Sequence, residues 1–269
     1  MATGDQMPIV DSVEAGSGPL VVLVHSSVAG ARQWRRLMSD LEDRFHLIAV
    51  NLFGYGRTPA WTNERTQTLD DQAGLVEAAL PDGDGSLFLV GHSFGGSVAM
   101  KAAGRLGSRV QRLILLEPNP FFLLDQHGRR EAFAESMEVR RWLKENGAAG
   151  DWTTAAENFA DYWGGTGAWA AMPEERRAAF TEALKPNFFE WDTITAETTT
   201  LDEWVSILPE RTLVVSDRQT VRPIREIVEL MREGCPAWRF QEIADGGHMA
   251  PLTRPDLINP IVSEFLEGT

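Results

Sequence analysis

Leu87-Phe88-Leu89-Val90-Gly91-His92-Ser93-Phe94-Gly95-Gly96 joins an apolar, strand-like run to a serine at the spacing Gly-x-Ser-x-Gly, and a helix-like segment follows over 95–106. A serine presented at the tip of a strand must sit on a very tight turn, often in a strained backbone conformation. Its neighbours must be small, because a Cβ there would collide with the turn or with the adjacent strand. Such a turn leaves Oγ exposed at a helix N-terminus, where the dipole favours developing negative charge. A glycine-rich turn that carries its serine by chance is disfavoured by the strand before it and the helix after it.

On both sides of this motif short apolar runs alternate with longer amphipathic stretches. That is the pattern of an α/β protein with a mostly parallel central sheet and helices on both faces. With Leu87–Val90, the runs Leu20–Val24, Leu47–Val50, Leu113–Leu116 and Leu213–Val215 read as strands buried on both faces, and Trp238–Ile243 is a candidate last strand. Helices are expected near 68–80, 95–106, 222–233 and 255–267. No strand-like run occurs between about 119 and 205, where six of the nine tryptophans and seven of the thirteen phenylalanines fall. Residues 119–205 are therefore expected to form a helical insertion, with 1–118 and 206–269 as the core domain.

The 269 residues carry 25 Lys and Arg against 39 Asp and Glu, a formal charge of −14. Non-specific nucleic-acid binding and anionic-membrane binding both reward clustered positive charge, so neither is expected. No apolar run approaches the roughly 20 residues that span a bilayer. Met1–Gln6 lacks the basic and apolar regions of a secretory signal, and a single cysteine, Cys235, excludes an intrachain disulfide; both point to the cytoplasm. There is no His-x-x-x-His or Cys-x-x-Cys pair, and no Gly-x-Gly-x-x-Gly follows a strand, so neither a metal nor a nucleotide cofactor is expected. Nothing in the sequence specifies an oligomeric state.

The segment around Ser93 resembles the nucleophile turn of the α/β-hydrolase family, and other segments are similar to that family's pattern. His25-Ser26-Ser27-Val28-Ala29-Gly30 resembles its His-Gly segment, with Ser26 in place of the usual glycine. The resemblance implies an oxyanion hole made by the backbone N–H groups of Ser27 and Phe94. The Ser27 side chain is read either as a substrate contact or as solvent-exposed. Asn51-Leu52-Phe53-Gly54-Tyr55-Gly56-Arg57-Thr58 is similar to the family's Asp-x-x-Gly-x-Gly-x-Ser segment, with Asn51 for the aspartate, and is structural.

A serine nucleophile needs a base whose pKa lies near neutral. Of His25, His46, His92, His127 and His248, the last lies in Ala244–Pro251, after the last strand and before the last helix. That context resembles the family's histidine loop and makes His248 the expected base. The third member is more open. The family often places its acid in Gly-x-x-Asp-x-x-x-Pro, but here Ser216–Pro223 puts Gln219 at that position. Glu117, in Leu115-Leu116-Glu117-Pro118, is the expected acid, because haloalkane dehalogenases and certain lipases of the family carry theirs on this neighbouring strand. Asp217 is the alternative, and the absence of any functional acid is the third case. Glu117 could instead cap a turn or pair with Arg57 or Arg109.

Dehalogenases and epoxide hydrolases of this fold carry aspartate at the nucleophile position, whereas Ser93 suits acyl transfer. The resemblance thus implies a carboxylic ester hydrolase that takes a small, largely apolar ester or related acyl compound through an acyl-enzyme. C–C hydrolysis, perhydrolysis or lyase chemistry on the same triad is a second reading. A catalytically weak ligand-binding member, suggested by Ser26, Asn51 and Gln219, is a third. The insertion resembles the family's cap, and its aromatic rings either line an apolar pocket or form the insertion's own core. Arg129, Arg130, Arg140 and Arg141 either attract an anion or form a solvated helix face.

Overall fold

The computed structural model describes residues 9–268, in which the apolar runs become neighbouring strands of one sheet. Met1–Gln6, expected to carry no secretory signal, lies outside the described residues. The strands are β1 (Ser12–Ala15), β2 (Leu20–Val24), β3 (His46–Val50), β4 (Leu87–His92), β5 (Val110–Leu116), β6 (Thr212–Asp217) and β7 (Arg239–Ile243), in the order β1-β3-β2-β4-β5-β6-β7. All pairings are parallel except that of β1 with β3. β1 is a four-residue edge strand whose Val13 and Glu14 are exposed, so no apolar run announces it. β4 runs on through Gly91 and His92, and the tight turn therefore begins at Ser93 itself.

The helices are α1 (Arg35–Leu41), α2 (Leu69–Ala78) and α3 (Phe94–Leu106) before β5. Between β5 and β6 come α4 (Phe122–Gln126), α5 (Arg130–Ala148), α6 (Trp152–Gly164), α7 (Ala168–Ala171), α8 (Glu174–Leu184), α9 (Asn187–Thr195) and α10 (Leu201–Ile207). α11 (Arg222–Gly234), α12 (Ala250–Thr253) and α13 (Pro255–Glu267) complete the chain. α1 has no counterpart in the sequence-based expectation, because it buries only Leu37, Met38 and Leu41, too few positions for a helical period.

Alternate residues of the central strands serve two cores. Val22, Val24, Ile48 and Val50 pack with Leu69 of α2, Val98 of α3 and Ile227 of α11, whereas Val21, Leu23, Leu47 and Ala49 pack with Leu37 of α1 and Ile258 and Val262 of α13. Burial on both faces is the reason these strands are continuously apolar. The segment expected as an insertion at 119–205 is helical, but α10 crosses its expected end. α10 leans on α3, where a Cβ on Gly104 would come within 2.8 Å of Ile207. No helix among the described residues is long and apolar enough to cross a membrane.

Parallel pairing sets the C-terminal ends of β4, β5 and β6 side by side, the edge of such a sheet where ligand sites form. The register continues past the strand ends: Ser93 N–H donates to Leu116 O at 2.9 Å and Glu117 N–H to Val215 O at 2.8 Å. Gly95 fixes the other side of the serine turn. A Cβ there would lie 2.3 Å from His25 O and 2.4 Å from Val24 O. Gly95→Ala is accordingly expected to destabilise the protein by about 3 kcal/mol in urea unfolding, the upper end for overpacking, since backbone cannot yield as a side chain would. Gly85→Ala, with open space around its Cβ, should leave the unfolding midpoint unchanged.

Candidate active site

Ser93 sits at φ 53° and ψ −119°, left-handed backbone that a residue with a Cβ rarely adopts. Bonds on both sides hold it there, since its carbonyl accepts the N–H groups of Gly96 and Ser97. Gly91 is as constrained as Gly95, for its Cβ would meet Gly95 O at 2.3 Å. Ser93 Oγ therefore stands at the N-terminus of a 13-residue helix.

His248 lies in the loop between β7 and α12 and meets this hydroxyl, with its Nε2 3.0 Å from Ser93 Oγ. Its Nδ1 is 3.1 Å from Glu117 Oε2. A carboxylate can only accept, so Nδ1 carries the ring proton and Nε2 is left to accept from Ser93. Ser93 and His248 are each 5% exposed, and Glu117 is 3% exposed. Glu117 also accepts the backbone N–H of Asp217 at 2.5 Å and the hydroxyl of Thr220. These bonds aim its carboxylate at the imidazole from the end of β5. Arg57 pairs with Asp11 and Arg109 donates to Gly85 O, so neither takes Glu117.

Asp217 makes no bond to His248. Its Oδ1 accepts the N–H of Gln219 at 2.7 Å and its Oδ2 that of Gly246 at 2.8 Å, so it braces the loop after β6 against the loop that carries His248. Gln219 is exposed. The other histidines are occupied elsewhere. His25 donates from Nδ1 to Ser26 O at 2.7 Å and accepts Leu52 N–H on Nε2 at 3.1 Å, and burial pushes its pKa down to about 4. His92 donates to the carbonyl of His248 at 2.9 Å, and burial holds it neutral too. His46 lies 3.3 Å from Glu14 at the sheet edge, and His127 follows α4.

Gly95 presses the turn against the end of β2 at Val24 and His25, from which the 26–28 loop continues. The backbone N–H groups of Ser27 and Phe94 find no acceptor among the described residues. The Ser27 hydroxyl is not turned to solvent: it donates to Glu190 and accepts from Asn187 Nδ2 at 3.0 Å. Asn51 replaces an aspartate for a visible reason. Its Nδ2 donates to Asp11 at 2.8 Å while its Oδ1 accepts Ala31 N–H at 2.8 Å, and a carboxylate there would repel Asp11.

The tryptophan surplus divides. Trp191 stacks on Phe121, Trp142 meets Tyr162, Trp152 meets Phe188, Trp169 meets Phe180, and Trp204 is buried near Lys101. Trp163 differs, because its ring centre lies 4.2 Å from that of His248, tilted by 33°. Its indole nitrogen, like those of Trp191 and Trp204, is buried without a partner among the described residues. Arg129, Arg140 and Arg141 pair with carboxylates at 2.5–3.7 Å, and Arg130 is exposed. Sequence reasoning passed over Thr220, Tyr55 and Glu190. For Glu190 the available signal was a lone acid between aromatic residues in Phe188-Phe189-Glu190-Trp191.

Comparisons with known proteins agree with this architecture. Lipase LipV of Mycobacterium tuberculosis is 34% identical over 156 residues, covering 57% of this chain and 53% of that protein. A pimeloyl-(acyl-carrier protein) methyl ester esterase of Nitrosospira multiformis is 29% identical over 173 residues, covering 61% of this chain and 62% of that protein. The chain thus spans about half the length of the curated relatives it matches. A hydrolase from Pseudomonas aeruginosa superposes with a TM-score of 0.77 at 18% identity, over 100% of this chain and 97% of that one, a likeness of fold alone. The profile of the alpha/beta hydrolase family matches residues 21–261, and with the strand order and the strand-tip serine in place, the chain belongs to that family.

Proposed function

We propose that the protein is a serine hydrolase that cleaves a small, largely apolar ester or related acyl compound through an acyl-enzyme. What supports this reading is the relay from Ser93 Oγ through His248 to Glu117, at 3.0 and 3.1 Å, together with the Ser27 and Phe94 N–H groups, which have no acceptor among the described residues. Ser93 Oγ attacks the carbonyl carbon as its proton passes to His248 Nε2, and the carbonyl electron pair collects on oxygen. Ser27 N–H, Phe94 N–H and the N-terminus of α3 meet that charge. Glu117 holds the Nδ1 proton and stabilises the imidazolium. Collapse re-forms the carbonyl and expels the leaving group, which takes the proton from Nε2. Water then attacks the acyl-Ser93 carbonyl and gives its proton to Nε2. The second collapse releases the acid and returns a proton to Ser93 Oγ.

The helices between β5 and β6 act as a cap over this site. Trp163 covers the imidazole with an apolar face, which supports a substrate whose acyl or alcohol part is apolar. Among the relatives, the names lipase and methyl ester esterase fit an ester substrate.

A fluorophosphonate probe is expected to label the wild type at Ser93 and to leave Ser93→Ala unlabelled; a folded wild type that escapes labelling rules the proposal out. With p-nitrophenyl butyrate, Glu117→Gln should lower kcat by about 10³-fold or more, because it loses the charge that steadies the imidazolium. Asp217→Asn should cost less than about tenfold, since Asp217 bonds only backbone N–H groups and not the imidazole. Equal losses would mean that the acid is misassigned. Trp163→Ala should raise KM for p-nitrophenyl hexanoate about tenfold and that for the acetate much less, as expected from lost apolar contact. Equal rises for both esters would separate the ring from the acyl pocket.

A further inference from the structure

Glu190 is 1% exposed, on α9, and no Lys or Arg bonds to it among the described residues. Burying an ionisable group without a cation is costly, and an apolar side chain would fill the same space more cheaply. Its bonds show what the carboxyl does there. Tyr55 Oη donates to Oε1 at 2.7 Å, Asn187 Nδ2 donates to Oε2 at 2.7 Å, and the Ser27 hydroxyl donates to Oε2. Burial raises its pKa, and these three donors oppose the rise.

Two of the three donors lead to the 25–28 loop. Ser27 is held directly. Val28 is held one step away, because its N–H donates to Tyr55 Oη at 3.0 Å while Tyr55 gives its own proton to Glu190. Val28 stands at φ 70°, a left-handed conformation that costs a β-branched residue of the order of 1–3 kcal/mol. Such strain persists only where surrounding bonds over-determine it. The pinned residues are Ser27, whose N–H faces the developing oxyanion in the proposed mechanism, and its successor. α9 belongs to the helices between β5 and β6, so a cap residue fixes a core loop.

We propose that Glu190 is a positioning residue for the oxyanion hole, holding the Ser27 N–H in place through Ser27 and through the Tyr55–Val28 bond. The inference rests on the serine-ester reading above. It makes the hole depend on the docking of α9: the donor on the α3 side is built into the core, and the donor on the loop side is aligned from the cap. A bystander role, in which Glu190 merely ties α9 down, predicts a different outcome. Thr193 also ties α9 to the core, donating to Gln67 at 2.8 Å, and has no bond to the loop.

The test compares wild type, Glu190→Ala, Glu190→Gln, Tyr55→Phe and Thr193→Val. It measures kcat and KM on p-nitrophenyl butyrate, the rate of fluorophosphonate labelling, and the thermal midpoint. Glu190→Ala should lower kcat and the labelling rate about 30-fold or more, with KM within about threefold, because a misaligned donor is lost chiefly in the transition state. Glu190→Gln should recover part of this, since its amide oxygen still accepts from Ser27 and Asn187 but its NH₂ cannot accept from Tyr55. Tyr55→Phe, which strips Val28 N–H of its acceptor, should fall in the same direction and carries the test if Glu190→Ala fails to fold. Thr193→Val should lower the thermal midpoint and leave kcat within about twofold. Wild-type kcat in a folded Glu190 or Tyr55 variant, or an equal kcat loss in Thr193→Val, overturns the inference alone. A folded wild type that is neither labelled nor active on the ester overturns the serine-ester reading and this inference with it.

Discussion

The left-handed backbone at Ser93 is the constraint on which the rest of the site depends. A Cβ there is tolerated because the residue is pinned from both sides, by its N–H on Leu116 and by its carbonyl on the first turn of α3. The same turn leaves no room for a Cβ at Gly91 or Gly95, and that intimacy draws the end of β2 and the 25–28 loop against it. Strain spreads around this point. The non-glycine residues with positive φ among the described residues are Val28, Ser93, Glu117 and Asp245. They lie on the loop after β2, the turn after β4, the end of β5 and the loop that carries His248. Stored backbone strain of this kind concentrates where groups are held in a geometry the chain would not choose alone.

Two carboxylates at neighbouring strand ends make different bonds around His248. Glu117 faces the imidazole, and its aim is set partly by the backbone N–H of Asp217. Asp217 in turn spends its own oxygens on the two loops that flank His248. Asp217, the last residue of β6, thus acts on backbone and not on the imidazole. Thr220, three residues on, donates its hydroxyl to the Glu117 carboxylate.

The helices between β5 and β6 are joined to the core through polar contacts as well as apolar ones. Most of their aromatic rings pack against each other, as in any small helical core. Trp163 instead reaches the imidazole, and Glu190 reaches the loop beside it. Trp163 lies on α6 and Glu190 on α9, so two helices of the segment between β5 and β6 reach the core beyond their own packing.

Much of this was legible in the residues before any fold was known. The continuous apolar strands, the Gly-x-Ser-x-Gly turn and the loop of His248 are local demands on the backbone or on burial, and a local pattern records them. The edge strand β1 and the short helix α1 escaped because each buries too little apolar surface to show a period. The choice between Glu117 and Asp217, the single tryptophan of six that meets His248, and the part played by Glu190 were not local. Each depends on side chains separated by scores of residues converging to hydrogen-bond distance, as Glu190 does on Ser27 and Tyr55. Sequence alone determined the central strands, the turn that carries Ser93 and the loop that carries His248. The packed fold determined which carboxylate and which ring attend them, because a strand's periodicity fixes the side it buries but not the neighbour waiting at its end.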